Sequence, residues 1–186
     1  MRLWTIQPVE TFTRLQREKV LYVDEHTVPE EFRHAYDWMR EQMARRIPGY
    51  GGHYPWWGWV NRPDLRRSGH LPPGTKGVRL ELEVPDAEVL LSDFDAWHCV
   101  LNRSYLALTE EEDEAWEARF RSAVPDPYAW PPPEPWYSEI LASWERIFDL
   151  HALAATDWRG GERHLQATFE CLRLADVRRV KPFVAR

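Results

Sequence analysis

Two stretches of this chain alternate apolar and polar residues too regularly to be anything but half-buried strands. Val78, Leu80, Leu82 and Val84 are separated by Arg79, Glu81 and Glu83. Leu165, Ala167, Phe169 and Cys171 are separated by Gln166, Thr168 and Glu170. Strand side chains repeat with a period of two, so each stretch calls for a sheet with one face on a core. The segments around them have helical spacing. Val9, Phe12 and Leu15 follow Pro8, between short strands at Leu3 to Ile6 and Val20 to Val23. Thr27 and Glu30, with Pro29 beside them, have the spacing of a capping box ahead of a face of Phe32, Ala35, Tyr36, Met39, Met43 and Ile47. Further helices are expected from Ser92, capped with Asp95 and striped by Phe94, Trp97, His98 and Leu101, and from Thr109 with Glu112 to about Ala123. A single amphipathic helix is expected through Ile140, Leu141, Trp144, Ile147, Phe148 and His151. The fold class is therefore α+β, with small mixed or antiparallel sheets and helices packed around them, over a single domain of residues 1–186.

Length and charge set limits. A chain of 186 residues buries roughly 70% of its unfolded surface and needs no staple to hold a core. Its two cysteines, Cys99 and Cys171, fit free buried thiols in a reducing compartment. No run of 18 apolar residues is present and the opening lacks the apolar core of a signal peptide, so a cytoplasmic protein without a membrane span is expected. A net charge of -6 argues against binding bulk nucleic acid. The charge is uneven, however. Arg62, Arg66, Arg67, Lys76 and Arg79 face only Asp64 between Asn61 and Arg79, whereas the acidic run from Glu110 to Glu117 reads as a solvated helix start.

Candidate chemistry gathers in three places. The first is His53-Tyr54-Pro55-Trp56-Trp57-Gly58-Trp59, in a chain with eleven tryptophans, followed by a loop rich in glycine, proline and arginine. His53, Tyr54, Trp57 and Trp59 offer flat stacking surfaces and Arg62 and Arg66 could meet phosphates, which is what a nucleotide or unpaired base requires. Strand alternation sends Trp57 and Trp59 to one face and Trp56 to the other, so part of the segment is core. The second is Asp95 with His98, three residues apart on a helix, a carboxylate–imidazole combination suited to a general base or to a simple capped helix end. The third is the polar face of the last alternating strand, where Gln166 and Thr168 would serve as ligand contacts and Glu170 as a catalytic carboxylate, if the face is not merely solvated. The histidines are scattered and no metal-binding pattern appears.

The segments Leu3 to Gln7, His53 to Trp59, Val89 to His98 and Gln166 to Glu170 together resemble a bacterial family known as domain of unknown function 3841. That resemblance spans nearly the whole chain and implies no activity. A fainter similarity, in the opening strand–helix–strand and the late strand beginning at Gln166, is to the ADP-ribosyltransferase fold. It implies a cleft between two small sheets that clamps NAD, the one cofactor it suggests. The chain departs from that pattern: Trp4 and Thr5 stand where an arginine or histidine is usual, and Thr168 stands where the glutamate is usual, with Glu170 about 7 Å further on. The readings are then a nucleotide- or NAD-using transferase acting on a small nucleotide-like ligand, a noncatalytic module for a nucleobase, single-stranded RNA or peptide, or a structural protein with its tryptophans in the core.

Overall fold

The computed structural model describes residues 1–156, 158 and 163–186. They divide into two compact units, one of residues 1–91 and 165–186, the other of residues 92–164. The first unit is built on β1 (Arg2–Pro8), α1 (Val9–Glu18), β2 (Val20–Tyr22), α2 (Arg33–Arg46), β3 (Trp56–Trp59), β4 (Lys76–Glu83), β5 (Leu90–Asp93), whose last two residues belong to the second unit, β6 (Leu165–Phe169), β7 (Cys171–Arg173) and β8 (Val177–Val184). One sheet has the order β5-β6-β3-β1-β4-β8, and β2 pairs with β7 in a second, two-stranded sheet. The ladders β1–β3, β1–β4, β3–β6 and β4–β8 are antiparallel. The architecture is α+β, as the mixture of the two periodicities requires.

The alternation of β4 reads directly as burial. Val78, Leu80 and Leu82 are buried and sit opposite Gln7, Thr5 and Leu3 of β1. With Leu15 of α1, Ala167 and Phe169 of β6 and Leu172 of β7 they form one core. The polar face of β6 behaves differently from a solvated strand face, because Gln166 and Thr168 are both buried. Register sets bulky neighbours next to them: Gln166 lies opposite Trp59 and Thr168 opposite Trp57, so large indoles stand beside them on that side of the sheet. β8 is an edge strand and tolerates Pro182, which needs no ladder donor on its outer side.

α2 begins later than the Thr27–Glu30 spacing suggests. Thr27 ends a 3₁₀ turn, Glu25–Thr27, and donates its hydroxyl to the Asp24 carbonyl; a second turn, Glu30–Phe32, follows, and α2 starts at Arg33 with no side-chain cap. Its buried face is Ala35, Trp38, Met39, Gln42 and Met43.

The second unit holds α3 (Phe94–Leu101), α4 (Glu110–Ala123), α5 (Trp136–Trp144) and α6 (Leu150–Ala154). α3 is capped by Asp93, which accepts from the Ala96 N–H at 2.8 Å, one residue later than the Ser92 cap that spacing predicts. Its inward residues are Ala96, Trp97, Cys99 and Val100, which leaves His98 exposed. Thr109 caps α4 as predicted by accepting from the Glu112 N–H. The single helix expected from Ile140 to His151 is broken: a 3₁₀ turn spans Glu145–Phe148, and Asp149 restarts the helix by accepting from the Ala152 N–H at 2.9 Å. A capping aspartate competes with helix continuation because its side chain satisfies the donors of a new first turn. Both cysteines are free and buried. Among the described residues no helix is long and apolar enough to cross a membrane.

Candidate functional site

The aromatic segment acquires its geometry from the way β3 is hydrogen-bonded. β3 follows β6 along its whole length, from Trp56 opposite Phe169 to Trp59 opposite Gln166. β1 follows β4 along its whole length, from Arg2 opposite Glu83 to Pro8 opposite Gly77. The two neighbours meet at one pair, Trp4 opposite Trp59. Past that pair β1 and β3 part, and a cavity of about 350 Å³ opens there, lined by Thr5, Gln7, Tyr36, Trp57, Trp59 and His70 among others. That is a volume suited to a small ligand. Gln7 donates to the Thr5 hydroxyl at 2.8 Å, so its walls carry an amide and a hydroxyl as well as indoles. Tyr36 meets Trp57 edge-on at 5.9 Å, and burial pushes the Tyr36 hydroxyl above its ordinary range, with a Trp57 hydrogen bond acting against it. On the Trp59 side of the sheet the Trp4 Nε1 donor is buried without a hydrogen bond among the described residues. An orphaned buried donor costs stability, of order 1–3 kcal/mol.

A carboxylate–imidazole pair that no short motif announces stands outside the cavity's lining and is linked to it through chain neighbours. Glu170 Oε1 lies 2.8 Å from His53 Nδ1 and accepts from the Gly51 N–H at 2.7 Å. A carboxylate can only accept here, so Nδ1 carries the proton and Nε2 keeps its lone pair while the ring is neutral. The His53 ring stacks on Tyr22 with centroids 4.0 Å apart. The next residue after Tyr22, Val23, and Pro55, two residues after His53, both line the cavity. Glu170 escapes the strand pattern because β6 ends at Phe169 and β7 begins at Cys171, so its side chain is released at a bend between them.

The turn that presents His53 is tied down from several sides. Tyr50 donates its hydroxyl to the His53 carbonyl, and Arg40 Nε donates to the Gly52 carbonyl at 3.0 Å. Burial pushes the Tyr50 hydroxyl up to about 12, with Arg40 pulling it back and Glu170 adding to the rise, so it stays a donor. Gly51 has a steric reason to be glycine: a Cβ there would stand 2.7 Å from Glu170 Oε1. Tyr54, expected as a ligand contact, is instead buried, with its hydroxyl 2.6 Å from Asp37 Oδ1 and the Arg40 guanidinium 4.5 Å over its ring. Trp56 faces the other side and donates to the Leu21 carbonyl at 3.0 Å.

The arginines of the following loop divide. Arg66 is held by Asp64 through Nε at 3.0 Å and Nη2 at 2.7 Å. Arg62 lines a separate pocket of about 400 Å³ together with Arg79. The helical pair in the second unit also takes other partners than its spacing suggests. His98 Nδ1 lies 2.9 Å from the Phe94 carbonyl, and Asp95 Oδ2 lies 3.4 Å from His164 Nδ1. A ring at this position folds back along the axis onto the carbonyl four residues earlier, which leaves the carboxylate to a residue distant in sequence. Gln166 and Thr168 are buried, Thr168 donating to the Leu90 carbonyl at 3.3 Å.

Residues 2–175 match a family model described as Domain of unknown function (DUF3841). The chain belongs to that family. Among curated proteins and solved structures nothing matches. In this DUF3841 chain no group of three or more histidine, cysteine, aspartate or glutamate side chains that could hold a metal ion occurs among the described residues. Thr5, Gln7, Tyr22, Tyr36, Tyr50, Gly51 and Arg79 were not legible as site residues. Only the glycine run at positions 49, 51 and 52 hinted at a tight turn in front of His53.

Proposed function

We propose that this DUF3841 protein binds a nucleotide-class ligand, with a flat ring in the cleft between β1 and β3 and the His53–Glu170 pair beside it as a positioned base. The observation that carries the reading is the cavity walled by Trp57 and Trp59 next to an imidazole already oriented by a carboxylate. Indole walls favour any planar ring, and the Thr5 and Gln7 side chains supply the few polar contacts that fix its orientation. The specific form of the proposal is group transfer from NAD, in the manner of an ADP-ribosyltransferase. The nicotinamide–ribose bond breaks, a nucleophile bonds to the ribose carbon, and His53 Nε2 takes the proton that the nucleophile loses. A noncatalytic nucleobase-binding module would use the same cleft without that last step.

Calorimetry on the full chain with NAD, adenosine and nicotinamide tests the cleft. Binding of at least one of the three is expected, weakened roughly ten- to a hundredfold in Trp59→Ala, since a stacked base contributes about 1–3 kcal/mol. No heat with any of them overturns the reading. Release of nicotinamide from NAD, abolished in His53→Gln while NAD still binds, supports transfer; NAD binding without release leaves the module.

A further inference from the structure

We infer that the Arg62–Arg79 pocket is a diphosphate site that extends the cleft, so that the ligand is a nucleoside diphosphate or a dinucleotide rather than a free base or nucleoside. The inference deepens the proposed function and rests on it only for the ring-bearing half of the ligand.

Three observations carry it. The first is position. Ile6 lines the aromatic cavity and Arg79 lines the basic pocket, and these two residues are cross-strand partners of β1 and β4. Their side chains therefore rise from the same sheet face about 5 Å apart. The loop closes the same way: His70 lines the cavity and lies 2.9 Å through Nε2 from the carbonyl of Asp64, which lines the pocket.

The second is charge. Asp64 is the acid among the lining residues Arg62, Pro63, Asp64, Arg66 and Arg79, and it is fully engaged by Arg66 through both carboxylate oxygens. Arg66 holds the Asp64 carboxyl well below the usual carboxylate range, so this internal pair is electrically neutral at any physiological pH. Two guanidinium charges, on Arg62 and Arg79, remain.

The third is that those two charges share one pocket and repel each other. Burial lowers the Arg79 guanidinium from its ordinary value and Arg62 lowers it further, with Arg179 on β8 contributing in the same sense against the nearby acids Glu81 and Asp64. Arg79 anchors one Nη1 donor on the Pro63 carbonyl at 2.6 Å, which leaves most of its five N–H groups for another acceptor. Arg62 has neither a hydrogen bond nor an ion pair among the described residues. On β8, Lys181 sits opposite Arg79 and Arg179 opposite Glu81, placing two more cations on the same face. Like charges held together in a pocket are stabilised by an anion that bridges them, and planar guanidinium forks match phosphate oxygens two at a time.

The test uses inorganic pyrophosphate, ADP and adenosine on the full chain, followed by calorimetry at low and moderate salt. Pyrophosphate is expected to bind, at least tenfold more weakly in Arg62→Gln and in Arg79→Gln, and within twofold of the parent when Asp64→Asn and Arg66→Gln are made together, which removes the neutral pair without changing the net charge. Arg62 is exposed, so its substitution does not threaten folding; Arg79→Lys, which keeps the charge on the strand, recovers part of the loss. ADP is expected to bind at least tenfold more tightly than pyrophosphate, and Trp59→Ala is expected to remove that advantage while leaving pyrophosphate unchanged. Absence of pyrophosphate binding, or binding that survives both Arg62→Gln and Arg79→Gln, overturns the site. ADP no tighter than pyrophosphate overturns the nucleotide assignment. Adenosine binding without pyrophosphate binding sinks this inference alone, and pyrophosphate binding without adenosine or ADP advantage sinks the aromatic half alone.

Discussion

Each of the two units carries a dense aromatic group, and the groups are built in opposite ways. In the second unit the rings cover one another. Trp116 stacks on Tyr105 at 4.6 Å and on Phe120 at 4.8 Å, and Trp136 closes edge-on against both Trp116 and Phe120. The Trp116 donor goes to Glu139 at 2.9 Å. In the first unit Trp57 and Trp59 instead line a cavity beside strands that part, with polar side chains in its walls. Aromatic abundance is thus two different statements: where ring faces meet rings they hold a helical unit together, and where they border a cavity, as Trp57 and Trp59 do, they form part of its wall. A groove of about 440 Å³ beside the second cluster is lined by Trp116 and Trp130, and there Trp116 already stacks on Tyr105 and Phe120.

The contrast predicts that substitutions in the second unit act mainly on stability and those in the first mainly on binding. The largest effect is expected for Trp116→Ala, a loss of about 3 kcal/mol in denaturant unfolding with ligand affinity retained. Loss of affinity at equal stability would reverse the two roles.

Glu112→Gln comes next, at about 1–2 kcal/mol. Glu112 accepts from Tyr105 at 2.8 Å, from Arg146 at 2.7 Å and from the Leu108 N–H at 2.8 Å, and an amide would place a donor against one of these donors. Burial alone would raise the Glu112 carboxyl, yet the hydrogen bonds from Leu108, Arg146 and Tyr105 hold it below its ordinary value. The depressed value means that its contribution is present above the unfolded glutamate range and is lost as pH falls through the folded value. Acid titration of stability should therefore be steeper below about pH 4.5 in the parent than in the variant.

Gly51→Ala should cost about 1 kcal/mol, since the new methyl must displace the Glu170 carboxylate or the turn. Nicotinamide release should fall with it, while a denaturant midpoint shift without any change in binding or turnover would make the pair structural. The smallest effect is alkaline. Tyr50 is raised to about 12, so its contribution is complete below pH 10 and fades as pH rises towards the folded value; Tyr50→Phe should flatten the stability profile between those limits.

Much of the scaffold was legible because periodicity reports which face of an element is buried. β4, the apolar face of β6 and most of the α2 face follow from that rule, and the α4 cap at Thr109 from capping spacing; on α2, Trp38 and Gln42 are buried while the expected Phe32 and Tyr36 are only half-buried. Periodicity could not reveal what lies over the second face of a strand, so the face of Gln166 and Thr168 stayed open between solvent and a cleft, and both side chains are buried. The opposite sides taken by Trp56 and the Trp57/Trp59 pair were legible; the cavity was not, since it exists only because β1 and β3 share one ladder pair.

The same division applies to the site. By itself the sequence determined which side chains are present: stacking rings, a basic loop, and a glutamate on the last alternating stretch. Tertiary structure alone decided who meets whom. It joined His53 to Glu170 across more than a hundred residues, gave Asp95 to His164 and His98 to a carbonyl, neutralised Arg66 with Asp64 and put Arg62 in one pocket with Arg79. Local spacing encodes period and capping through bonds a few residues long. Partnerships between charged groups depend on chain segments that are brought together only when the sheet closes.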